Sequence, residues 1–183
     1  MIFIMKIKSY LLSVVALLAA WSCSYREYAP ADYPGQVVYL AASTVAEDGI
    51  IYVDSESDVY TLSEDKTHLS IHLGVVQSGV ELGNHRVYLN FAVSKVNFLI
   101  DDGTFAPGTL PLPKGAVSFP EYVDLTPKDD VAYFDLSFNT IYLTDPEFLG
   151  KKFVMALEIM CDDCEINPDL KDVIFVIDPK ILM

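Results

Sequence analysis

Basic residues are scarce in this chain: 12 Lys and Arg stand against 26 Asp and Glu, a formal net charge of −14. Such a surface repels phosphate backbones, so nucleic acid is excluded as a partner, and no basic patch is available to hold anionic lipid. No His-Glu-x-x-His, Gly-x-Ser-x-Gly, Walker or Gly-x-Gly-x-x-Gly motif occurs, which removes the best-marked metalloprotease, hydrolase and nucleotide-binding chemistries. Carboxylate pairs can be drawn from 26 acids in so many ways that no single pair is informative. No catalytic residue, metal or cofactor is therefore expected, and the chain reads as a non-enzyme. Tryptophan occurs once, as Trp21, and histidine and cysteine three times each. Disorder is excluded too, because a chain that is 52% hydrophobic can bury a real core.

One long apolar run is present, at the start. In "MIFIMKIKSYLLSVVALLAAWSC", Lys6 and Lys8 precede an apolar stretch from Leu11 to Ala20, and small residues lead to Cys23. A basic head, a short apolar run and small residues at the exit make a secretory signal. The run is too short to cross about 30 Å of hydrocarbon comfortably as a helix. "AAWSC" resembles the lipobox of bacterial lipoproteins, with Ala20 where leucine is usual and a bulky Trp21 inside the cut. The resemblance implies cleavage after residue 22 and acylation of Cys23. Several acyl chains hold a protein firmly to a bilayer without spanning it. Residues 1–22 are thus expected to be a lipoprotein signal peptide, 23–32 a lipidated cysteine and polar tether, and 33–183 a single domain. The leader carries two of the 12 basic residues and none of the acids, so the mature chain is more acidic still.

The body reads as strands. "QVVYLAAS", "IIYVDS", "DVYTLS", "THLSIHLGVV", "HRVYLNFAVSKV", "AVSFPEYVDL", "VAYFDLSF", "KFVMALEIM" and "DVIFVI" are crowded with β-branched and aromatic residues. Gly, Pro, Asp and Asn fill the gaps. Alternation is clearest where Leu69, Ile71 and Leu73 point one way and His68, Ser70 and His72 the other. Val87, Leu89, Phe91 and Val93 share a face in the next run, and Pro120 marks a bulge or a switch between sheets. Helix signals are thin. "TDPEFLG" offers Thr144 or Asp145 as a cap, Pro146 and a stop at Gly150, and "NFLIDDG" offers another short turn. Eight or nine strands with one or two helical turns predict an all-β, antiparallel, immunoglobulin-like β-sandwich.

On a strand, His68 and His72 lie on one face about 13 Å apart, from a rise of about 3.3 Å per residue, and cannot share a metal. His85 lies in the turn "LGNHR" without a cysteine or carboxylate at motif spacing. "IDDGTFAPG" and "SESD" lack the ligand alternation of calcium loops and read as solvated turns. In "MCDDCEINPDL", Cys161 and Cys164 form an even pair in an exported chain. The pair follows a strand, and Asp162 and Asp163 disfavour a thiolate, unlike a redox centre at a helix N-terminus. Zinc needs two further ligands that local sequence does not offer. A disulfide across a turn is preferred over free thiols, and so short a loop stabilises modestly.

Four stretches, "YPGQVVYLAAS", "HLGVVQSGV", "LPKGAVSFPEYVDLTPKDDVAYFDLSF" and "INPDLKDVIFVIDPKIL", resemble the N-terminal β-sandwich domain of unknown function found in Bacteroidota surface lipoproteins. The resemblance runs over most of residues 33–183 and rests on the order of turns, bulges and strand ends. It implies an outer-membrane, cell-surface lipoprotein of a Sus-type polysaccharide-utilisation system, acting as a glycan-binding or accessory component beside outer-membrane uptake proteins. Many such proteins carry a C-terminal lectin-like or catalytic module, and the expectation here is the single-domain version without one. Sugar sites present aromatic faces to C–H surfaces with polar groups around them, so Tyr122, Tyr133 and Tyr142 are the candidate platforms. An acidic surface suits neutral or cationic glycans. The competing reading is an assembly or adhesin-like module with no small-molecule site.

Overall fold

The computed structural model describes residues 36–182, apart from 80–81 and 149. The expected signal peptide, lipidated Cys23 and tether lie outside these residues. Two six-stranded sheets face each other. The first runs β11 (Glu165–Ile166), β1 (Val37–Leu40), β4 (His68–Ser78), β9 (Val131–Asn139) and β7 (Val117–Ser118), with β3 (Thr61–Leu62) also on β4. The second runs β2 (Ile50–Val53), β12 (Asp172–Ile177), β10 (Phe153–Met160), β5 (His85–Phe91) and β8 (Tyr122–Leu125), with β6 (Leu110–Pro111) also on β10. The architecture is an all-β sandwich. Its sheets are mixed: β1 with β11, β12 with β2 and β10 with β6 are parallel, and the other pairings are antiparallel.

Period-two patterning builds the interior. Leu69, Ile71, Leu73 and Val75 of β4 and Phe134, Leu136 and Phe138 of β9 meet Phe153, Met155, Leu157 and Ile159 of β10 and Val173, Phe175 and Ile177 of β12. Pro120 stands where the chain leaves the first sheet at β7 and enters the second at β8. Proline has no N–H for a central ladder, which suits it to this crossing.

Two departures from the sequence reading share a cause. The run "HRVYLNFAVSKV" is a strand only to Phe91; Val93 begins a nine-residue helix, α1 (Val93–Asp101), in place of the short turn expected at "NFLIDDG". Val96 is fully buried, and with Leu99 and Ile100 it packs on Val154, Ala156, Ile174 and Val176, the outward residues of β10 and β12. Those strands are therefore buried on both faces, which explains why "FVMALEIM" and "DVIFVI" run apolar without alternating. A second helical turn, α2 (Thr140–Leu143), starts where Asn139 Oδ1 accepts from the Ile141 N–H at 3.0 Å. The expected turn at "TDPEFLG" is a 3-10 turn over Pro146–Phe148, with Asp145 Oδ1 accepting from the Glu147 N–H.

Gln77 ties the end of β4 to its surroundings. It is buried to 1% exposure and makes four hydrogen bonds. Its Nε2 donates to the carbonyls of Thr126 (2.6 Å) and Asp129 (3.0 Å), and its Oε1 accepts from Gln36 Nε2 (2.6 Å) and the Gly83 N–H (3.1 Å).

Candidate functional site

The ladder between β4 and β9 sets His72 opposite Asp135 and Gly74 opposite Tyr133. All four lie on the outward face, because successive strand residues alternate. Glycine leaves the space that the tyrosine ring uses: a Cβ at Gly74 would lie 3.4 Å from Tyr133 Cδ1 and 2.9 Å from Val131 Cγ1. The Tyr133 ring stacks on the His72 ring at 5.1 Å between centroids and 16° between planes. His72 Nδ1 is in turn 2.8 Å from Asp135 Oδ1, which fixes the imidazole. Tyr133 remains 65% exposed.

A cleft of about 450 Å³ opens beside this stack. It arises from a gap in the sheet: on one edge of β4, β1 pairs with Val75–Ser78 and β3 with Leu69 and Ser70, leaving residues 71–74 without a strand partner. Ala41, Val45, Ile51 and Val59 wall the gap, Ile71 and Leu73 line it, and His72 and Tyr133 stand at its border. An apolar hollow with an aromatic face and a carboxylate-held imidazole at its mouth has the chemistry of a sugar subsite. The ring would take the C–H face, and His72, the Tyr133 hydroxyl and strand backbone would meet hydroxyls. No Asp or Glu is among the described residues lining the cleft, whereas glycoside hydrolysis uses two carboxyl groups across the bond.

The other two tyrosines lie elsewhere. Tyr122 is on β8, in the other sheet, with the Arg86 guanidinium 3.9 Å from its ring centroid and Tyr88 edge-on at 6.3 Å. Arg86 is fixed by two hydrogen bonds to Asp124 (2.9 and 3.2 Å); these raise the guanidinium's pKa and lower the carboxyl's. One face of Tyr122 is thus occupied, as one face of Tyr133 is by His72. Tyr142 is on α2, its hydroxyl near Gly115. The three tyrosines do not form one row, and of them Tyr133 is the one that borders the cleft described above.

A larger groove of about 610 Å³ lies at the start of α1, lined by Asn90, Ser94, Lys95, Lys114, Glu158, Lys171 and Asp172 among others. Its charges are largely spent on one another: Lys95 pairs with Asp172, and Lys171 Nζ lies 3.0 Å from Glu158 Oε1, raising the lysine's pKa. Its lining aromatic, Phe91, is half-buried and carries no polar group, and the smaller cleft is the better ligand site. In the turn after β10, Cys161 and Cys164 are joined (S–S 1.99 Å), and His85 from the start of β5 lies against them.

Sequence reasoning placed His72 on an exposed face and singled out Tyr133 without joining them. The two come together only through the β4–β9 register, which no single run encodes. His68 and His72 do go separate ways: His68 Nδ1 meets the Thr67 hydroxyl at 2.9 Å.

No protein-family model matches the sequence, and no curated protein matches it. Solved structures do resemble it in fold. A candidate carbohydrate-binding protein from Bacteroides ovatus superposes with a TM-score of 0.53 at 12% identity, over 78% of this chain and 36% of that one. A multidomain protein including DUF1735, also from Bacteroides ovatus, gives 0.54 at 18% identity, over 76% and 44%. Bacteroides thetaiotaomicron EndoBT-3987, solved with its Man5GlcNAc product, gives 0.52 at 10% identity, over 77% and 30%. At such identities the likeness is one of fold. The chain spans less than half the length of each neighbour.

Proposed function

We propose that this chain is a non-catalytic, lipid-anchored surface protein that binds a glycan at the cleft beside Tyr133, as an accessory component of a polysaccharide-utilisation system. The observation that carries the reading is the Tyr133–His72 stack, held by Asp135 at the mouth of an apolar cleft. Fold likeness to Bacteroides proteins, one of them a candidate carbohydrate binder, supports it. The cleft wall without carboxylates favours capture over cleavage. The leader and Cys23 supply the anchor in this reading, the outer membrane is the location, and uptake proteins are the expected neighbours. Among the described residues no helix is long and apolar enough to cross a membrane.

The test is binding of the purified chain to a broad panel of neutral, amino and acidic glycans by calorimetry. Saturable binding that Tyr133→Ala weakens about tenfold or more, equivalent to about 1.4 kcal/mol, supports the proposal. Tyr122→Ala should leave it unchanged. For the anchor, incorporation of a fatty-acid probe should be lost in Cys23→Ser.

A second reading, an assembly or adhesin-like module, has its own observation. The ladders align Met160, Tyr88 and Tyr122 across β10, β5 and β8, and Met160 and Tyr122 are exposed. An exposed row of this kind is a protein-docking feature. Silence across the glycan panel, with a partner complex lost in Tyr122→Ala, would establish that role instead.

A further inference from the structure

The cysteine pair has company that its local sequence hides. His85, Cys161, Asp163 and Cys164 each offer one ligand atom, and these four atoms lie within 4.8 Å of one another. His85 is 78 residues from Asp163 and arrives through the pairing of β5 with β10. Its side chain is only 12% exposed. Gly83 makes the room, since a Cβ there would collide with His85 Nε2.

The hydrogen-bond network fixes which ring nitrogen carries hydrogen. The carbonyls of Thr126 and Asp129 only accept, so the Gln77 atom facing both is Nε2. Gln77 Oε1 is then the acceptor for Gln36 Nε2. That leaves Gln36 Oε1 facing His85 Nε2 at 3.1 Å, and this nitrogen must be the N–H. Nδ1, 3.2 Å from Asp163 Oδ1 and beside the sulfurs, is then the ring nitrogen left to take a proton or a metal ion. Either cation would bridge it to the carboxylate, and the sulfurs alongside suit a metal. A backbone-anchored amide that orients an imidazole toward sulfur and carboxylate is also the supporting shell that metal-binding histidines use.

We propose that His85, Cys161, Asp163 and Cys164 form a zinc site that the disulfide closes. In the thiol state they hold Zn²⁺, and exchange with a disulfide oxidant, itself reduced to two thiols, re-forms the Cys161–Cys164 bond and expels the ion. Opening the site takes two electrons and two protons from a dithiol, which becomes a disulfide, and each cysteine sulfur becomes a thiol. Zn²⁺ then displaces the two thiol protons. Cys161 and Cys164 ligate as thiolates, His85 through Nδ1 and Asp163 through a carboxylate oxygen. A Cys-x-x-Cys pair with one nitrogen and one oxygen ligand is a four-coordinate set suited to zinc. Tetrahedral zinc places its ligand atoms about 3.3–3.8 Å apart, so the present cluster needs side-chain adjustments of about 1 Å. The site stands independently of the glycan cleft.

The experiment uses the full chain, reduced anaerobically with a phosphine, which is converted to its oxide with oxygen from water and leaves no competing dithiol. Co²⁺ is the spectroscopic probe. One equivalent should bind with a thiolate-to-cobalt charge-transfer band, absent from the oxidised chain, and Zn²⁺ should displace it. Cys164→Ser should abolish the band. Asp163→Asn, at a 63% exposed side chain, should melt as the reduced parent does, and Gln36→Leu, which gives up its bonds to Gln77 and His85, about 2–8 °C lower; both should bind roughly tenfold or more weakly, as loss of a ligand or of a supporting partner does. No band in the reduced chain would overturn the proposal. So would affinity left unchanged by His85→Gln, Asp163→Asn and Gln36→Leu alike, because the cysteine pair alone would then be binding the metal.

Discussion

Gln77→Leu removes a side chain of similar volume from the best-connected buried polar position described here. The lost bonds are two donated to Thr126 and Asp129 and two accepted from Gln36 and Gly83. At about 1 kcal/mol net for each, with solvent recovering part, the cost is about 2–4 kcal/mol. A domain of this size stands only about 5–15 kcal/mol above its unfolded state. The melting temperature should fall by about 2–4 °C per kcal/mol, or roughly 4–16 °C. Urea unfolding should show a lower midpoint with an unchanged slope. Gln77→Glu adds a pH arm. A carboxylate aimed at two carbonyl oxygens in a buried site is disfavoured, so its folded pKa lies above the unfolded value of about 4.3. The folded state then binds more protons, and stability falls as pH rises through that unfolded value. The gap between Gln77→Glu and the parent should be wider at pH 7 than at pH 4. A loss below about 1 kcal/mol for Gln77→Leu, with a flat pH response for Gln77→Glu, would refute the network as a fastening.

Two further outcomes rest on separate elements. Val96→Ala takes two methyl groups from the seam between α1 and the second sheet and should cost about 2 kcal/mol; Asn97→Ala, exposed on the same helix, should stay within about 0.5 kcal/mol in urea unfolding. Asp65 accepts from Ser63 Oγ, the Thr67 N–H and Thr67 Oγ1, which hold its carboxyl at about 2 against the usual 3.8. Because the folded value is the lower one, the turn's contribution is full above the unfolded value and is lost as pH falls toward the folded one. The Thr67 amide shift should therefore titrate near pH 2 in the parent and stay flat in Asp65→Asn; a midpoint at the ordinary carboxylate value would contradict the bonding.

The sandwich was legible because period-two alternation survives wherever one face is wet, as in β4 and β9. It failed where both faces are dry. Helix α1 was hidden inside a strand-like run because Val87, Leu89, Phe91 and Val93 continue the period of two across a boundary that only Val96 on β10 and β12 explains. Strand direction was illegible for a related reason. The parallel partners β2, β6 and β11 sit at the margins of their sheets and are two to four residues long, too short to carry a pattern of their own. Of the candidate site, the exposed His72 and Tyr133 could be named from alternation, but their stacking depends on the register His72↔Asp135 and Gly74↔Tyr133. His85 was set aside for want of a partner at motif spacing; β5 supplies one by pairing, and sequence distance is no guide to that.

Gln77 and His85 are also coupled in a way that can be measured. With Gln77 gone, nothing dictates which end of the Gln36 amide faces the imidazole. Turned over, it would offer N–H to His85 Nε2, move the ring hydrogen to Nδ1 and withdraw the lone pair from the sulfurs. Gln77→Leu should therefore weaken Co²⁺ binding by the reduced chain about as much as Gln36→Leu does, although Gln77 touches none of the four ligands. The double variant should be no weaker than either alone, because both break the same chain of donors. Losses that multiply in the double variant would mean that the two glutamines act separately, and that the ring's tautomer is set by something other than the carbonyls of Thr126 and Asp129.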